Sequence, residues 1–313
     1  MNKIKLSFRL TLIIGLLVLA GCSPTQAAVG GGSRPAPAAV PSAAPTATLE
    51  PSPTADPTAT QAPSPTPTSL PSASPVPSPT ATWAVHPAGK VVAPILLYHH
   101  VNNDQTDSRY VVSVAVFTAQ MKALRDWGYT VIPISTLVEA LTHGGPLPER
   151  PVVISFDDGN EDIYQNAFPI MQQFGYPGTF FIVADRLSSP GFVSTADLKQ
   201  MAAAGWEIDS HSWSHIDLTK NHAAIWQEAA HSRLVLKQAL GAPVEVFAYP
   251  YGTVDPTVIQ KLQEYGYRAA AGLGTLNTQT VGMLYYLSRQ EVRRDYSMEA
   301  FSKLLPWSPG NPG

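Results

Sequence analysis

The chain has 313 residues, with 20 Lys and Arg against 23 Asp and Glu, and its single cysteine, Cys22, excludes a disulfide within one chain. Fifteen of its 30 prolines lie between Pro24 and Pro79, in a stretch of Ala, Ser and Thr that has nothing to bury, so one folded domain is expected downstream of it. From residue 86 onward 16 Lys and Arg face 21 Asp and Glu, a balance that argues against a nucleic-acid reader and suits a neutral substrate or one whose product becomes cationic.

In chain order, Lys3, Lys5 and Arg9 precede the apolar run Leu10 to Ala20, the charged start and short hydrophobic stretch of a secretory signal. The run is too short to span a bilayer comfortably. It ends in Leu19-Ala20-Gly21-Cys22, which resembles the bacterial lipobox and implies a lipidated Cys22. The expected organisation is a lipoprotein signal peptide over 1–21, a disordered Pro/Ser/Thr/Ala tether over 22–88 and a folded domain over 89–313. In polyproline-II geometry, at about 3.1 Å per residue, the tether could reach on the order of 150 Å. The expected location is exported, lipid-anchored at the cell membrane and facing the wall or periplasm.

Beyond the tether, Val91 to Tyr98 is a β-prone apolar run, and Phe117 to Trp127 has helical spacing that stops at Gly128. A short strand over Thr130 to Pro133, a helix over Ser135 to Leu141 and a fully buried strand over Pro151 to Phe156 follow. The alternation continues with helices over Ile163–Phe174, Thr195–Ala204, Ala223–Leu240 and Pro256–Tyr265. The strands between and after them cover Thr179–Val183, Trp206–Asp209, Val244–Tyr249, Tyr267–Ala271 and Tyr285–Leu287. Unalternating apolar strands separated by helices predict a parallel sheet covered by helices, and we favour an α/β fold closed as a distorted (β/α) barrel.

In such folds reactive groups gather where strands end. Tyr98-His99-His100, Asp157-Asp158, His211 and Tyr249-Pro250-Tyr251-Gly252 each follow an apolar strand. Adjacent carboxylates can divide labour, one ligating a metal while the other acts as base, although an Asp pair also suits a turn or helix cap. His211 and His215 are four apart and can reach one cation, although a lone pair of histidines is commonly surface or core. Ser212 stands where the zinc-peptidase motif requires Glu. Two His and one Asp would leave positions for water and substrate.

The order Ser155-Phe156-Asp157-Asp158-Gly159, then His211-Ser212-Trp213-Ser214-His215, then Phe247-Ala248-Tyr249-Pro250-Tyr251-Gly252 resembles the polysaccharide deacetylases of carbohydrate esterase family 4, the NodB-homology domain. The resemblance covers about residues 92 to 303 and is nearest to the poly-N-acetylglucosamine deacetylase branch. It implies Asp157 as catalytic base and Asp158, His211 and His215 as ligands of one divalent metal, zinc first, with Ni, Co or Fe as alternatives. It also implies the backbone N–H of Tyr251 at the oxyanion, with Tyr249, Pro250 and Trp213 as substrate-side contacts.

The chain departs from the family pattern twice. Ala248 stands where many members carry the Arg that pairs with the base, so Arg289, and after it Arg293, are the candidates for that role. The usual late Leu-x-His is missing, and His99, with His100 as rival, is the candidate acid. His86, His143, His222 and His231 read as solvated surface groups. The activity implied is removal of N-acetyl groups from poly-N-acetylglucosamine, peptidoglycan or a chitin-like polymer, with no nucleic-acid partner. An O-acetyl esterase acting on xylan-type glycans and a non-catalytic glycan-binding lipoprotein are the competing readings.

Overall fold

The computed structural model describes residues 82–309 and 311. The expected signal peptide, the lipidation at Cys22 and the tether as far as residue 81 lie outside the described residues. Among the described residues no helix is long and apolar enough to cross a membrane.

Seven parallel strands form the centre: β1 (Ile95–Tyr98), β2 (Pro151–Phe156), β3 (Thr179–Ile182), β4 (Glu207–Ser210), β5 (Val246–Ala248), β6 (Ala269–Ala271) and β7 (Arg289–Glu291). Their order is β6-β5-β4-β3-β2-β1-β7. Ile95 lies beside Val153, Thr179 beside Glu207, Ser210 beside Phe247 and Arg289 beside Ile95. The two ends of the row approach each other, since Leu287 bridges Ala271 and the N–H of Gly274 donates to the Arg289 carbonyl at 2.9 Å. The result is the expected nearly closed α/β barrel.

The helices are α1 (Val114–Asp126), α2 (Ile134–His143), α3 (Phe168–Gln173), α4 (Thr195–Ala203), α5 (Ser232–Leu240), α6 (Pro256–Glu264) and α7 (Met298–Lys303). Local sequence starts several of them. The Ser113 and Asp255 side chains accept from Val116 and Val258 N–H groups, and Ser194 with Asp197 forms a reciprocal capping box.

Strand alternation divides the core in two. Leu96, Ile154, Phe180 and Phe247 join the larger cluster with helix residues such as Phe117 and Leu236. Their neighbours Ile95, Val153, Phe181 and Val246 join a second cluster with Leu137 and Leu141 of α2. Strands β1, β2, β3, β5 and β6 are thus buried on both faces, which is why they read as largely apolar runs, while β4 and β7 carry polar residues. The second set faces the barrel interior and includes only small side chains from β6, Ala269 and Ala271.

Five expectations need correction. The ordered body begins before the expected boundary at 88–89, because Trp83–His86 pairs antiparallel with Gly145–Pro148. The run Val91 to Tyr98 divides at Pro94, which lacks a ladder N–H; Lys90–Val92 pairs instead with Thr278–Thr280. Ala223–Leu240 is a 3-10 turn over His222–Ala224, a π-helical stretch over Trp226–His231 and then α5. Ile163–Phe174 likewise opens with a π stretch over Ile163–Ala167, and a hydrophobic period cannot reveal such one-residue insertions. Tyr285–Leu287 makes only the isolated bridge at Leu287, so Arg289 opens the last strand rather than following it.

Candidate active site

Four strands deliver polar groups to one edge of the barrel. β2 ends in Asp157 and Asp158, β4 in His211, β1 in His99, and β5 in the Tyr249 to Gly252 turn. Asp157, Asp158, His99, His211, His215, Tyr251 and Arg289 line one cavity of 410 Å³.

Asp157 is 2% exposed and sits against Arg289, itself 1% exposed. The Arg289 Nη1 donates to Oδ1 at 2.6 Å and Nη2 to Oδ2 at 2.8 Å, a two-pronged ion pair. The same guanidinium donates through Nε to the Gly272 carbonyl at 3.1 Å and lies 5.2 Å from the centroid of the Phe181 ring. Burial pushes the Asp157 carboxyl up, but Arg289 and His211 outweigh it and bring it down to about 2. The group is therefore an ionised acceptor across the neutral range and a weak base.

Asp158, His211 and His215 each offer one ligand atom, and these atoms lie within 4.8 Å of one another. The Nδ1 of His211 faces the Ala248 carbonyl at 2.8 Å, which directs Nε2 toward Asp157 and Asp158 at 3.6 and 3.8 Å. The Nε2 of His215 lies 3.4 Å from the Asp158 Oδ1. That Oδ1 is buried and has no hydrogen-bond donor, with two imidazoles beside it and the Arg186 Nη1 at 3.9 Å. The donor set and this orphaned oxygen fit a divalent cation, and the carbonyl behind His211 is the kind of support that orients a ligating imidazole.

The backbone is strained where it serves this cluster. Asp158, Ser212, His215 and Tyr251 hold φ of 74°, 70°, 63° and 61°, a region that L side chains rarely occupy. The loop between the histidines is tied on one side by N–H groups of Ala184 and Asp185, which donate to the Ser212 and Trp213 carbonyls at 3.1 and 3.0 Å. Gly252 also holds a left-handed φ of 68°, and a Cβ there would meet Leu273 Cγ at 2.6 Å.

The remaining candidates separate. His99 lines the cavity, packs on Tyr110 with ring centroids 4.6 Å apart, and keeps a buried Nδ1 without a partner. Burial lowers its pKa, against the pull of Asp157 and Asp158. His100 instead pairs through Nδ1 with the Asp162 Oδ2 at 3.0 Å, and that bond raises its pKa. Arg293 faces Glu291 at 2.8 Å and not Asp157. The Tyr251 ring packs edge-on against His215 at 4.8 Å and is 61% exposed, whereas Tyr249 is buried and donates its hydroxyl to the Tyr285 carbonyl at 2.8 Å. Pro250 and Trp213 are not among the cavity-lining residues.

His231, expected to be solvated, is partly covered: Trp213 lies 4.7 Å and Trp226 5.7 Å from its ring centroid. Two residues that the motifs give no signal for also matter here. Glu291 lines the cavity beside Arg109, with Arg109 Nε 3.4 Å from its carboxylate, and Glu228 contacts the loop between the two histidines.

The family profile for polysaccharide deacetylase matches residues 144–270. Over 213 residues the chain is 26% identical to the putative polysaccharide deacetylase YxkH of Bacillus subtilis (strain 168), covering 68% of this chain and 75% of that one. It is 28% identical over 217 residues to the poly-beta-1,6-N-acetyl-D-glucosamine N-deacetylase of Staphylococcus aureus (strain MRSA252), covering 63% of this chain and 71% of the relative. A solved polysaccharide deacetylase from Bacillus cereus superposes with a TM-score of 0.61 at 27% identity, over 69% of each chain. The matched span holds Asp157, Asp158, His211, His215 and Tyr251, while His99 and Arg289 come from strands outside it. Residues 144–270 therefore match the polysaccharide deacetylase family model, and the chain is similar in sequence and fold to polysaccharide deacetylases.

Proposed function

We propose that the chain hydrolyses N-acetyl groups on an N-acetylglucosamine-containing polysaccharide of the cell envelope or its surroundings, releasing acetate and leaving an amine. The observation that carries this reading is the buried Asp157, held ionised by Arg289 beside the open Asp158-His211-His215 set in one cavity. The relatives named above as deacetylases, one of them of poly-beta-1,6-N-acetyl-D-glucosamine, support the amide-hydrolase class.

Asp157 accepts the proton of the attacking water, and Arg289 keeps both carboxylate oxygens aimed and deprotonated. A divalent ion held by Asp158, His211 and His215, zinc by first choice, supplies the Lewis acidity that so weak a base needs. The backbone N–H of Tyr251, carried on a turn with left-handed φ, is the donor assigned to the oxygen that becomes negative as water adds to the acetyl carbon. His99 is assigned the proton that goes to the departing nitrogen as the C–N bond breaks, so the products balance as acetate and a free amine. An exported, lipid-held location through Cys22 belongs to the same proposal and rests on the sequence alone.

Acetate and glucosamine formation are the decisive readout, measured on poly-N-acetylglucosamine, peptidoglycan, acetylated chitooligosaccharides and acetylated xylan. Amine and acetate appearing together on a GlcNAc polymer support the reading. Acetate from xylan alone makes the chain an ester hydrolase, and binding without acetate makes it a glycan-binding protein. Fractionation of cells carrying Cys22→Ala tests the anchor, with release from the membrane expected.

A further inference from the structure

The loop that carries the two imidazoles has no regular structure of its own, and its backbone is strained at both Ser212 and His215. Something must hold it. The Ser212 and Trp213 carbonyls are taken by the Ala184 and Asp185 N–H groups, the His215 N–H donates to the Ser212 hydroxyl at 2.9 Å, and the N–H groups of Trp213 and Ser214 converge on one side chain, Glu228. The Oε2 of Glu228 accepts from the N–H of Trp213 at 3.1 Å and from the N–H of Ser214 at 2.8 Å, while Oε1 accepts the Ser214 hydroxyl at 2.7 Å. The residue is 3% exposed, and these three donors account for both of its oxygens.

Glu228 lies on the π-helical stretch Trp226–His231, whose extra residue shifts the helix register just ahead of α5. The same stretch is fastened to the barrel: the Ser232 hydroxyl donates to the Glu228 carbonyl at 2.7 Å and lies 2.8 Å from the Ser210 hydroxyl, at the end of β4. The side chain and main chain of Glu228 therefore join the helix, the end of β4 and the span between His211 and His215. A buried carboxylate accepting two backbone N–H groups and a hydroxyl is a strong, directional anchor.

We infer that Glu228 is a positioning residue for the metal centre: by clamping Trp213 and Ser214 it fixes the separation of the His211 and His215 nitrogens. The inference rests on the proposed reading of Asp158, His211 and His215 as ligands. Partners that orient ligating side chains typically change metal affinity by roughly 10–100-fold when removed.

The test is calorimetric titration of metal-free protein with Zn and Co, read alongside the unfolding temperature of the metal-free state. Wild type should bind one equivalent, and Glu228→Gln should bind roughly 10–100-fold more weakly while folding. Ser214→Ala, which removes only the hydroxyl, should weaken binding by a smaller factor and carries the test if Glu228→Gln does not fold. Leu236→Ala, a cavity in the buried core of α5, should lower the unfolding temperature and leave the metal dissociation constant within about twofold, because its side chain makes none of the hydrogen bonds of the clamp. Co bound to wild type and to Glu228→Gln should also differ in its visible spectrum, since a loosened histidine alters the coordination geometry.

Wild-type affinity in Glu228→Gln, or in Ser214→Ala where Glu228→Gln does not fold, overturns the inference. So does an equal loss in Leu236→Ala, which would mark a general effect of stability. Absence of binding by wild type would instead overturn the proposed metal centre, separately from Glu228.

Discussion

Two buried carboxyls in the same barrel behave in opposite ways. Asp157, 2% exposed at the end of β2, is drawn down to about 2 because Arg289 and His211 outweigh the effect of burial. Asp209, 4% exposed within β4, is pushed well above the usual carboxylate range by burial and by the neighbouring carboxylate of Glu207. It still accepts from the N–H groups of Glu245 and Val246 at 2.8 and 3.0 Å, yet no cation faces it as Arg289 faces Asp157. Burial alone therefore does not mark a reactive acid. The partner decides the charge, and at the barrel mouth the partner is a guanidinium brought from the last strand.

The largest effect should separate these two groups by activity. Asp157→Asn is expected to lower acetate release by about 10²–10⁴-fold while the protein still binds metal, whereas Asp209→Asn should leave the rate within a few fold. A comparable loss in both would show that the contrast between them is structural only. Next in size, Arg289→Met strands the Asp157 carboxylate without a cation in a dry site and should cost about 3–5 kcal/mol in denaturant unfolding. Little change in stability would mean that water or another group replaces the guanidinium.

The pH dependence of stability should split in sign. With divalent ions chelated, the lowered Asp157 pKa contributes stability that is present above the ordinary carboxylate range near pH 4 and is lost as pH falls toward 2. The raised Asp209 pKa contributes stability that is full below about pH 4 and is lost as pH rises toward neutrality and beyond. Asp157→Asn should flatten the limb below about pH 4 of the unfolding profile, and Asp209→Asn the limb between about pH 4 and about pH 8. Matching changes in both variants would contradict the opposed assignments. The smallest effect is that of His100→Ala, which leaves Asn102 as the remaining side-chain partner of Asp162 and should reduce activity by less than about tenfold, whereas His99→Ala should cost about 10²–10⁴-fold.

The strands and the carboxylate-histidine motifs were legible in the sequence for a physical reason. A strand buried on both faces reads as a largely apolar run, so the polar residue that ends it stands out, as Asp157 does after Phe156, whereas His211 follows the polar strand Glu207–Ser210 and was marked instead by its spacing from His215. Arg289 was reached only through the family resemblance, because nothing local marks a residue whose partner lies 132 positions away, and His99, already marked by its place after a strand, took its role as acid from that resemblance. Glu228 gave no signal, since a glutamate in a polar helix looks solvated until the π-helical register turns it inward. His231 misled for the same reason. The left-handed φ at Asp158 and Tyr251 was equally hidden, because neither is glycine and the strain is imposed by tertiary contacts.

The cavity beside Arg289 is proposed as a metal-dependent hydrolytic centre. It is tested most directly by acetate release from poly-N-acetylglucosamine before chelation, after exhaustive chelation, and after adding back one equivalent of zinc or cobalt. Activity that vanishes on chelation and returns with one equivalent in wild type, but does not return in Asp157→Asn, is the predicted result. Undiminished acetate release by the chelated protein, or full recovery in Asp157→Asn, would contradict the claim.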